Sequence, residues 1–160
     1  MDIKEIKIAY REYTCAAELP ENERELVEAA IEAAKASYAP YSDFNVGAAV
    51  RLEDGTIVPG TNQENDAFPS GICAERTAMY AAGARYPDKS IRAIALVGGP
   101  HHTICDTPAT PCGACRQVMA QFQKKAGKPM QVILAGAKKI WVFEKVDDIL
   151  PLIFTSLDKQ

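Results

Sequence analysis

Two short cysteine motifs contain the residues of this chain that are best suited to chemistry. The first places Cys73 two residues before Glu75, and the second is a Cys-x-x-Cys sequence made by Cys112 and Cys115. A Cys-x-x-Cys turn presents two sulfurs to one metal ion, and Cys73 is the natural third ligand. Three thiolates fill three of the four tetrahedral positions of a zinc ion and leave the fourth for water. The pattern therefore predicts metal-assisted hydrolysis.

Glu75 is predicted to move protons at this site. Zinc lowers the pKa of a bound water to ~7, which supplies hydroxide at neutral pH. A residue two positions after a ligand at a helix start lies near the metal but points away from the ligand direction. Glu75 is therefore expected to take the proton of the water and return it to a substrate nitrogen. Arg76 is expected to offset the negative charge of the thiolates.

Two other interpretations of the cysteines remain open. Cys112 and Cys115 could instead form a redox pair, which would leave Cys73 and Glu75 without a role. A structural zinc knot would need a fourth ligand, for which none of the candidates has a ligand-like spacing. Those candidates are Cys15, Cys105, His101 and His102.

The composition of the whole chain fits an enzyme that acts on a small molecule. Its 160 residues are enough to bury a core, so zinc is not needed merely for folding. The net charge of -3 argues against a nucleic acid polymer as partner, because such binding usually needs a basic face. The N-terminus has charges throughout, and no apolar run approaches membrane-spanning length. We therefore expect a cytoplasmic protein without a membrane partner, whose five cysteines stay reduced.

The hydrophobic pattern predicts the elements that position these motifs. Residues 1–20 are predicted to form an N-terminal extension, with an edge strand at 6–11, and residues 21–160 a single domain. Alternating strands and helices indicate an α/β fold of three layers, α/β/α, around a mixed, mostly five-stranded sheet. Both cysteine motifs fall where a strand gives way to a helix, whose N-terminus favours the thiolate form. Helices are predicted at 21–37, 73–85, 112–126 and 146–150, and strands at 44–52, 56–60, 91–97, 132–134 and 140–143.

At these residues the chain resembles the cytidine deaminase family, in the small type that acts on free nucleosides. The matching motifs are Tyr-Ser-x-Phe-x-Val-Gly-Ala-Ala at 41–49, Asn-x-Glu-Asn at 62–65, Cys-Ala-Glu-Arg-Thr-Ala at 73–78 and Pro-Cys-Gly-Ala-Cys-Arg-Gln at 111–117. The resemblance implies zinc-dependent deamination of cytidine and deoxycytidine with release of ammonia, in pyrimidine salvage. It also implies one zinc per subunit, held by Cys73, Cys112 and Cys115, with Glu75 as the proton shuttle.

The resemblance assigns six further residues to the substrate. Asn62 and Glu64 would hydrogen-bond the sugar 3′-hydroxyl, and Phe44 would form a wall against the pyrimidine ring. The Ala74 amide would bind the base carbonyl, and the Thr110 carbonyl would receive the departing amine. The C-terminal Leu-Pro at 150–151 precedes Phe154, which matches an aromatic that reaches the base from a neighbouring subunit. The resemblance therefore implies a homotetramer.

The chain departs from the family pattern near the sugar pair. Phe68 stands where tyrosine is usual and lacks its hydroxyl, and Asp66 adds a charge that would discourage a 5′-phosphate. Gln63 replaces an apolar residue, and Asn45 stands where proline is frequent.

Two other functions remain open at this point. The chain could deaminate another cytosine derivative, such as blasticidin S, although relatives of that kind lack the Asn62 and Glu64 pair. It could also be a catalytically silent zinc-binding protein, against which the intact Glu75 argues.

Overall fold

The computed structural model describes residues 1–155 and contains one mixed sheet between layers of helix. The strands are β1 (Arg11–Tyr13), β2 (Phe44–Leu52), β3 (Ile57–Thr61), β4 (Ile91–Pro100), β5 (Gln131–Ala135) and β6 (Ile140–Phe143). The helices are α1 (Glu21–Ala34), α2 (Ala74–Arg85) and α3 (Gly113–Ala126). The strand order is β1-β6-β5-β4-β2-β3, with β4 and β5 parallel and the other neighbours antiparallel. The predicted α/β class is confirmed, with six strands rather than five.

The sixth strand is β1, and it corrects the prediction for the N-terminal segment. The predicted edge strand began at residue 6, whereas the observed strand begins at Arg11. Pairing with β6 limits its length, because that short strand forms only three residue pairs with β1. Tyr10 instead packs its ring against Trp141 and Phe143, at centroid distances of 5.8 and 5.2 Å. The division into an extension and a single domain stays a prediction.

The two faces of the sheet are covered by different helices. Leu26 and Val27 of α1 are buried against residues of β2, β4 and β5 on one face. Met79 of α2 and Met119 of α3 are both 0% exposed and belong to the core on the opposite face. Burying a large apolar side chain contributes about 1.5–3 kcal/mol. The sheet therefore lies between α1 on one face and, on the other, α2 and α3, whose N-termini carry the cysteines.

A glycine sets the distance between α2 and β3. A Cβ atom added to Gly60 would lie 2.3 Å from the backbone N of Ala78 and 2.6 Å from the carbonyl O of Ala74, whereas ordinary contacts begin near 3.4 Å. Any larger residue would have to push α2 away from the sheet. Since Cys73 caps α2, this contact fixes how deeply the helix N-terminus is set in the fold.

Most predicted boundaries agree with the structure within a few residues. Apart from β1, the largest difference in the sheet is at β4, which continues to Pro100 because its pairing with β2 extends as far as Phe44. The helix predicted at 146–150 is only a 3-10 turn at Val146–Asp148. Within residues 1–155, no helix combines the length and apolar character needed to cross a membrane.

Candidate active site

The three predicted ligand sulfurs meet at the N-termini of α2 and α3. Cys73 is the N-cap of α2, Cys112 is the N-cap of α3, and Cys115 lies in the first turn of α3. Their Sγ atoms all lie within 4.8 Å of one another. Within residues 1–155 this is the single group of His, Cys, Asp or Glu side chains close enough to hold a metal. The candidates for a fourth ligand do not join it, so the closed zinc knot finds no support.

The geometry and chemistry of these donors fit a zinc ion. In a tetrahedral site with zinc–sulfur bonds of about 2.3 Å, two sulfurs are separated by roughly 3.8 Å. Separations within 4.8 Å require only small side-chain adjustments to reach that value. The positive ends of two helix dipoles also meet here, which favours the thiolate form that zinc binds.

Interactions among the thiols prepare one of them to lose its proton. The pKa of Cys73 is lowered to about 5, chiefly because the Cys115 thiol hydrogen-bonds to its sulfur. The Arg76 guanidinium adds to this effect, with its Nη2 atom 3.6 Å from Cys73 Sγ. The same thiol–thiol hydrogen bond, together with burial, raises the pKa of Cys115. Metal binding would release the remaining thiol protons, because zinc binds the deprotonated sulfur.

Glu75 lies beside the cluster as the second residue of α2. Its side chain is only 4% exposed, and this burial raises the pKa of its carboxyl group above the ordinary value. It lines the same cavity as Cys73 and Cys112. A carboxyl group with a raised pKa holds its proton more readily, which suits a general acid–base catalyst that must donate a proton as well as accept one.

A cavity of about 430 Å³ adjoins the cluster and gathers most of the predicted site. Its size falls within the roughly 300–1,000 Å³ typical of small-molecule sites. Cys115 and Ala74, both fully buried, and Phe154 are not part of the lining. The predicted residues that do line the cavity are Phe44, Asn62, Glu64, Cys73, Glu75, Thr110 and Cys112.

Asn62 and Glu64 also hold the backbone around Phe44, a role that the sequence did not predict. Asn62 donates from Nδ2 to the Phe44 carbonyl at 2.9 Å and accepts from the amide two residues further along β2 at 2.8 Å. Glu64 accepts hydrogen bonds from the Tyr41 and Ser42 amides at 2.8 and 3.2 Å, and another from the Ser42 hydroxyl. The two side chains therefore shape the cavity wall as well as facing it.

Phe154 lies away from the cavity in its own chain. Its side chain is 79% exposed, and it borders a separate groove on α3. Its backbone carbonyl accepts a hydrogen bond from Nε2 of Gln117 at 2.9 Å. Contact between Phe154 and a pyrimidine base bound in a neighbouring subunit stays a prediction.

The chain is similar to known deaminases over most of its length. Residues 20–128 match the family described as cytidine and deoxycytidylate deaminase zinc-binding region. The chain belongs to the cytidine deaminase family. A cytidine deaminase of Halalkalibacterium halodurans is 38% identical over 133 residues, which cover 83% of this chain and 94% of the relative. Another, from Sporosarcina psychrophila, is 42% identical over 125 residues, covering 76% of this chain and 83% of that relative.

Solved structures of cytidine deaminases also share the fold. The enzyme from Burkholderia pseudomallei superposes with a TM-score of 0.68 at 41% identity and covers 81% of this chain and 97% of its own. The enzyme from Mycobacterium tuberculosis gives a TM-score of 0.66 at 30% identity, covering 84% of this chain and 98% of its own. As a cytidine deaminase family member, the chain is a hydrolytic enzyme, and the redox and silent-protein interpretations are not supported.

The cavity also contains residues that were not among the predicted site residues. Gln63, Phe68 and Arg76 stood out in the sequence, and the structure places all three in the lining. Leu96 reads as an ordinary core residue of a buried strand, and Ala109 lies in a loop without pattern. No sequence signal marked these two. The other lining residues are Ser42, Val46, Gly71 and Ile72.

Proposed function

We propose that the chain catalyses the hydrolytic deamination of cytidine and deoxycytidine to uridine and deoxyuridine, with release of ammonia. One observation carries this proposal: three sulfurs within 4.8 Å of one another adjoin a cavity that the buried Glu75 also faces. Cys73, Cys112 and Cys115 would hold one zinc ion per subunit. When bound, zinc supplies an acidified water molecule that is reactive at neutral pH.

Glu75 performs the proton transfers in this proposal. It takes one proton from the water molecule and delivers it to N3 of the pyrimidine, which makes C4 more electrophilic towards the water oxygen. It then takes the second proton of that oxygen and delivers it to the amino group, which leaves as ammonia when the C4–N bond breaks. One side chain suffices for both transfers, because both protons come from the same water molecule and a carboxyl group that is 4% exposed is shielded from bulk water between them. General acid–base catalysis of this kind contributes about 10²–10⁴-fold to the rate.

The remaining residues orient the nucleoside. Phe44 packs against the ring, and Asn62 and Glu64 bind the sugar hydroxyl. As the first residue of α2, Ala74 has an amide N–H without an intrahelical acceptor, which leaves it to bind the base carbonyl. The Thr110 carbonyl accepts a hydrogen bond from the departing amine. These contacts hold C4 next to the metal position.

The charges around the cavity favour a free nucleoside over a nucleotide or a polymer. Among the described residues that line it, Arg76 is the single cationic side chain, and its guanidinium contacts Cys73. At the sugar end stands the Glu64 carboxylate, with the exposed Asp66 following it in sequence. Phosphate recognition relies on Arg or Lys donors, which this wall lacks. We propose that 5′-phosphorylated substrates are rejected.

We further propose a homotetramer that works in pyrimidine salvage in the cytoplasm. The exposure of Phe154 supports an intersubunit role, because an aromatic side chain that is 79% exposed is available to a neighbouring copy. A reducing compartment would keep the ligand thiols free of disulfides.

The experiment combines zinc quantification with ammonia release from cytidine, deoxycytidine and their 5′-monophosphates. We expect one zinc per chain, turnover of both nucleosides and little turnover of the monophosphates. Glu75→Gln should retain the zinc and lose about 10²–10⁴-fold in kcat. Zinc-loaded protein that releases no ammonia from either nucleoside would overturn the proposal, and a Glu75→Gln variant with normal turnover would remove the proposed proton shuttle.

A further inference from the structure

Asn45 is a buried polar residue with no part in the proposed chemistry. It follows Phe44 in β2, and its side chain is 3% exposed. Within residues 1–155 the other buried polar side chains are Glu23, which pairs with Arg11, and Glu75 of the site. A buried amide is destabilising unless its donors and acceptor are hydrogen-bonded. Its partners therefore indicate what it does.

The Asn45 amide joins three parts of the fold. Its Nδ2 donates to the hydroxyl of Ser37, just after α1, at 2.7 Å. Its Oδ1 accepts from the backbone amide of His102 at 2.9 Å, and Nδ2 lies 3.5 Å from Nε2 of the same histidine. One side chain thus ties the end of α1 and strand β2 to the turn that follows β4.

That turn has a backbone conformation that needs external support. His101 and His102 have φ values of 52° and 56°, and the Thr103 amide closes the turn on the Pro100 carbonyl at 2.9 Å. The left-handed region is disfavoured by about 1–2 kcal/mol for each residue other than glycine. The His101 amide bonds to the Asp43 carbonyl at 3.2 Å, and its ring pairs with the Asp43 carboxylate. Exposed Asp43 thus holds His101, whereas the buried Asn45 side chain holds the backbone amide of His102.

The turn begins the loop that forms one wall of the cavity. Past the turn the chain crosses directly over β4, where a Cβ on Gly99 would lie 2.5 Å from the Thr103 carbonyl O. The Cys105 amide then bonds to the Gly98 carbonyl at 3.0 Å. A Cβ on Gly98 would touch both sides of the wall, at 3.0 Å from a ring carbon of Phe44 and 3.3 Å from Cβ of Ala109. The start of this loop therefore determines where Ala109 and the following Thr110 stand relative to Phe44.

We propose that Asn45 is a positioning residue for the loop at 100–110. By accepting the His102 amide it holds the left-handed turn in place, and the turn sets the wall formed by Ala109 and Thr110. The consequence for catalysis rests on the proposed deaminase function, in which the Thr110 carbonyl receives the amine. The consequence for loop order does not depend on that function.

The test uses Asn45→Leu, which keeps the branching at Cγ and removes every side-chain hydrogen bond. Losing one hydrogen bond of about 1.4 kcal/mol corresponds to a tenfold change. We expect amide hydrogen exchange at His102, Thr103 and Cys105 to become at least about tenfold faster, relative to the amides of α2. With cytidine we expect KM to rise by about fivefold or more with a smaller change in kcat, because the wall moves while Glu75 and the cysteines stay in place.

Asn45→Asp provides the conservative variant. Its carboxylate still accepts the His102 amide, and the Ser37 hydroxyl can turn to donate to it. We expect slow exchange of the His102 amide to return in this variant, together with most of the affinity for cytidine. Val142→Ala is the matched control for general destabilisation, since Val142 is 0% exposed on β6. It should lower stability and leave the loop amides and KM unchanged.

The outcomes separate positioning from simple loss of stability. Fast loop exchange in Asn45→Leu, with recovery in Asn45→Asp, supports the proposal even if the wild type deaminates neither nucleoside. Loop exchange in Asn45→Leu that matches the wild type overturns it, as does an equal change in Val142→Ala. If Asn45→Leu does not fold, Ser37→Ala and Asn45→Asp are compared instead. Wild-type protection of the His102 amide in Asn45→Asp then supports the proposal, and fast exchange of that amide in Asn45→Asp rejects it.

Discussion

Gly60→Ala adds a single methyl group between β3 and α2. We expect this methyl group to disturb the active site by displacing α2. The added Cβ would lie 2.3 Å from the Ala78 amide N, whereas ordinary contacts begin near 3.4 Å, so α2 must retreat by about 1 Å. The contact atoms are helix backbone and cannot rotate aside. Overpacking of this kind costs about 1–3 kcal/mol of stability.

The same displacement should reach the chemistry, because Cys73 and Glu75 lie at the N-terminus of α2. A misplacement of about 1 Å can cost 10²-fold in rate. We expect Gly60→Ala to lose about 10²-fold in kcat/KM for cytidine and to bind zinc more weakly. The measurements are urea denaturation, zinc competition with a chelator, and ammonia release.

Two comparisons make the Gly60→Ala result interpretable. Gly113 has nothing within 4 Å of an added Cβ, although it lies between two ligand cysteines. Gly113→Ala should therefore leave the zinc content unchanged and the free energy of unfolding within about 0.5 kcal/mol of the wild-type value. Adding Ala78→Gly to Gly60→Ala should give no rescue, because the conflict is with backbone atoms. A Gly60→Ala protein with wild-type stability and kcat/KM would refute the reasoning.

Further substitutions test other parts of the structure. Met119→Ala should lower the free energy of unfolding by about 2–5 kcal/mol in urea denaturation, because the side chain is 0% exposed. Glu64→Ala should raise KM for cytidine more than it lowers kcat, since it frees the cavity rim and leaves the metal site intact. Arg76→Met should weaken zinc binding by about 10–100-fold in chelator competition, because it removes a charge beside a ligand sulfur. The Lys89 ammonium lowers the pKa of Asp54 from 3.8 to about 2, so this pair stabilises the fold fully above pH 3.8 and loses its effect as pH falls through 2. Lys89→Met should reduce the dependence of the melting temperature on pH in that interval.

Local signals explain which elements were predictable from sequence. The helix after Pro20 and the hairpin at Asp54-Gly55 are specified by nearby residues, and both appear close to the predicted positions. The length of β1 is set instead by its partner β6, which is remote in sequence, so alternating residues before Arg11 gave a strand in the wrong place. Strand β4 was underestimated at its end for the same reason, since pairing with Phe44 carries it on to Pro100.

The candidate site likewise contains residues that the local sequence could indicate and contacts that it could not. Metal chemistry restricts residue type and spacing, so Cys73, Cys112, Cys115 and Glu75 could be proposed as site residues from their pattern. The structure brings these thiols within 4.8 Å of one another. The backbone bonds of Asn62 depend on contacts across the sheet and left no local trace.

The positions of the reactive groups depend on residues that are not themselves reactive. Gly60 fixes the position of α2, and the link between Asn45 and His102 fixes the turn that begins the loop towards α3. These contacts share no residue, so their effects on the free energy of catalysis should add within about 0.3–0.5 kcal/mol. A strong departure from additivity in the double variant Gly60→Ala, Asn45→Leu would show that α2 and the loop move as one unit. Additive effects would show that two independent supports hold the two sides of the site.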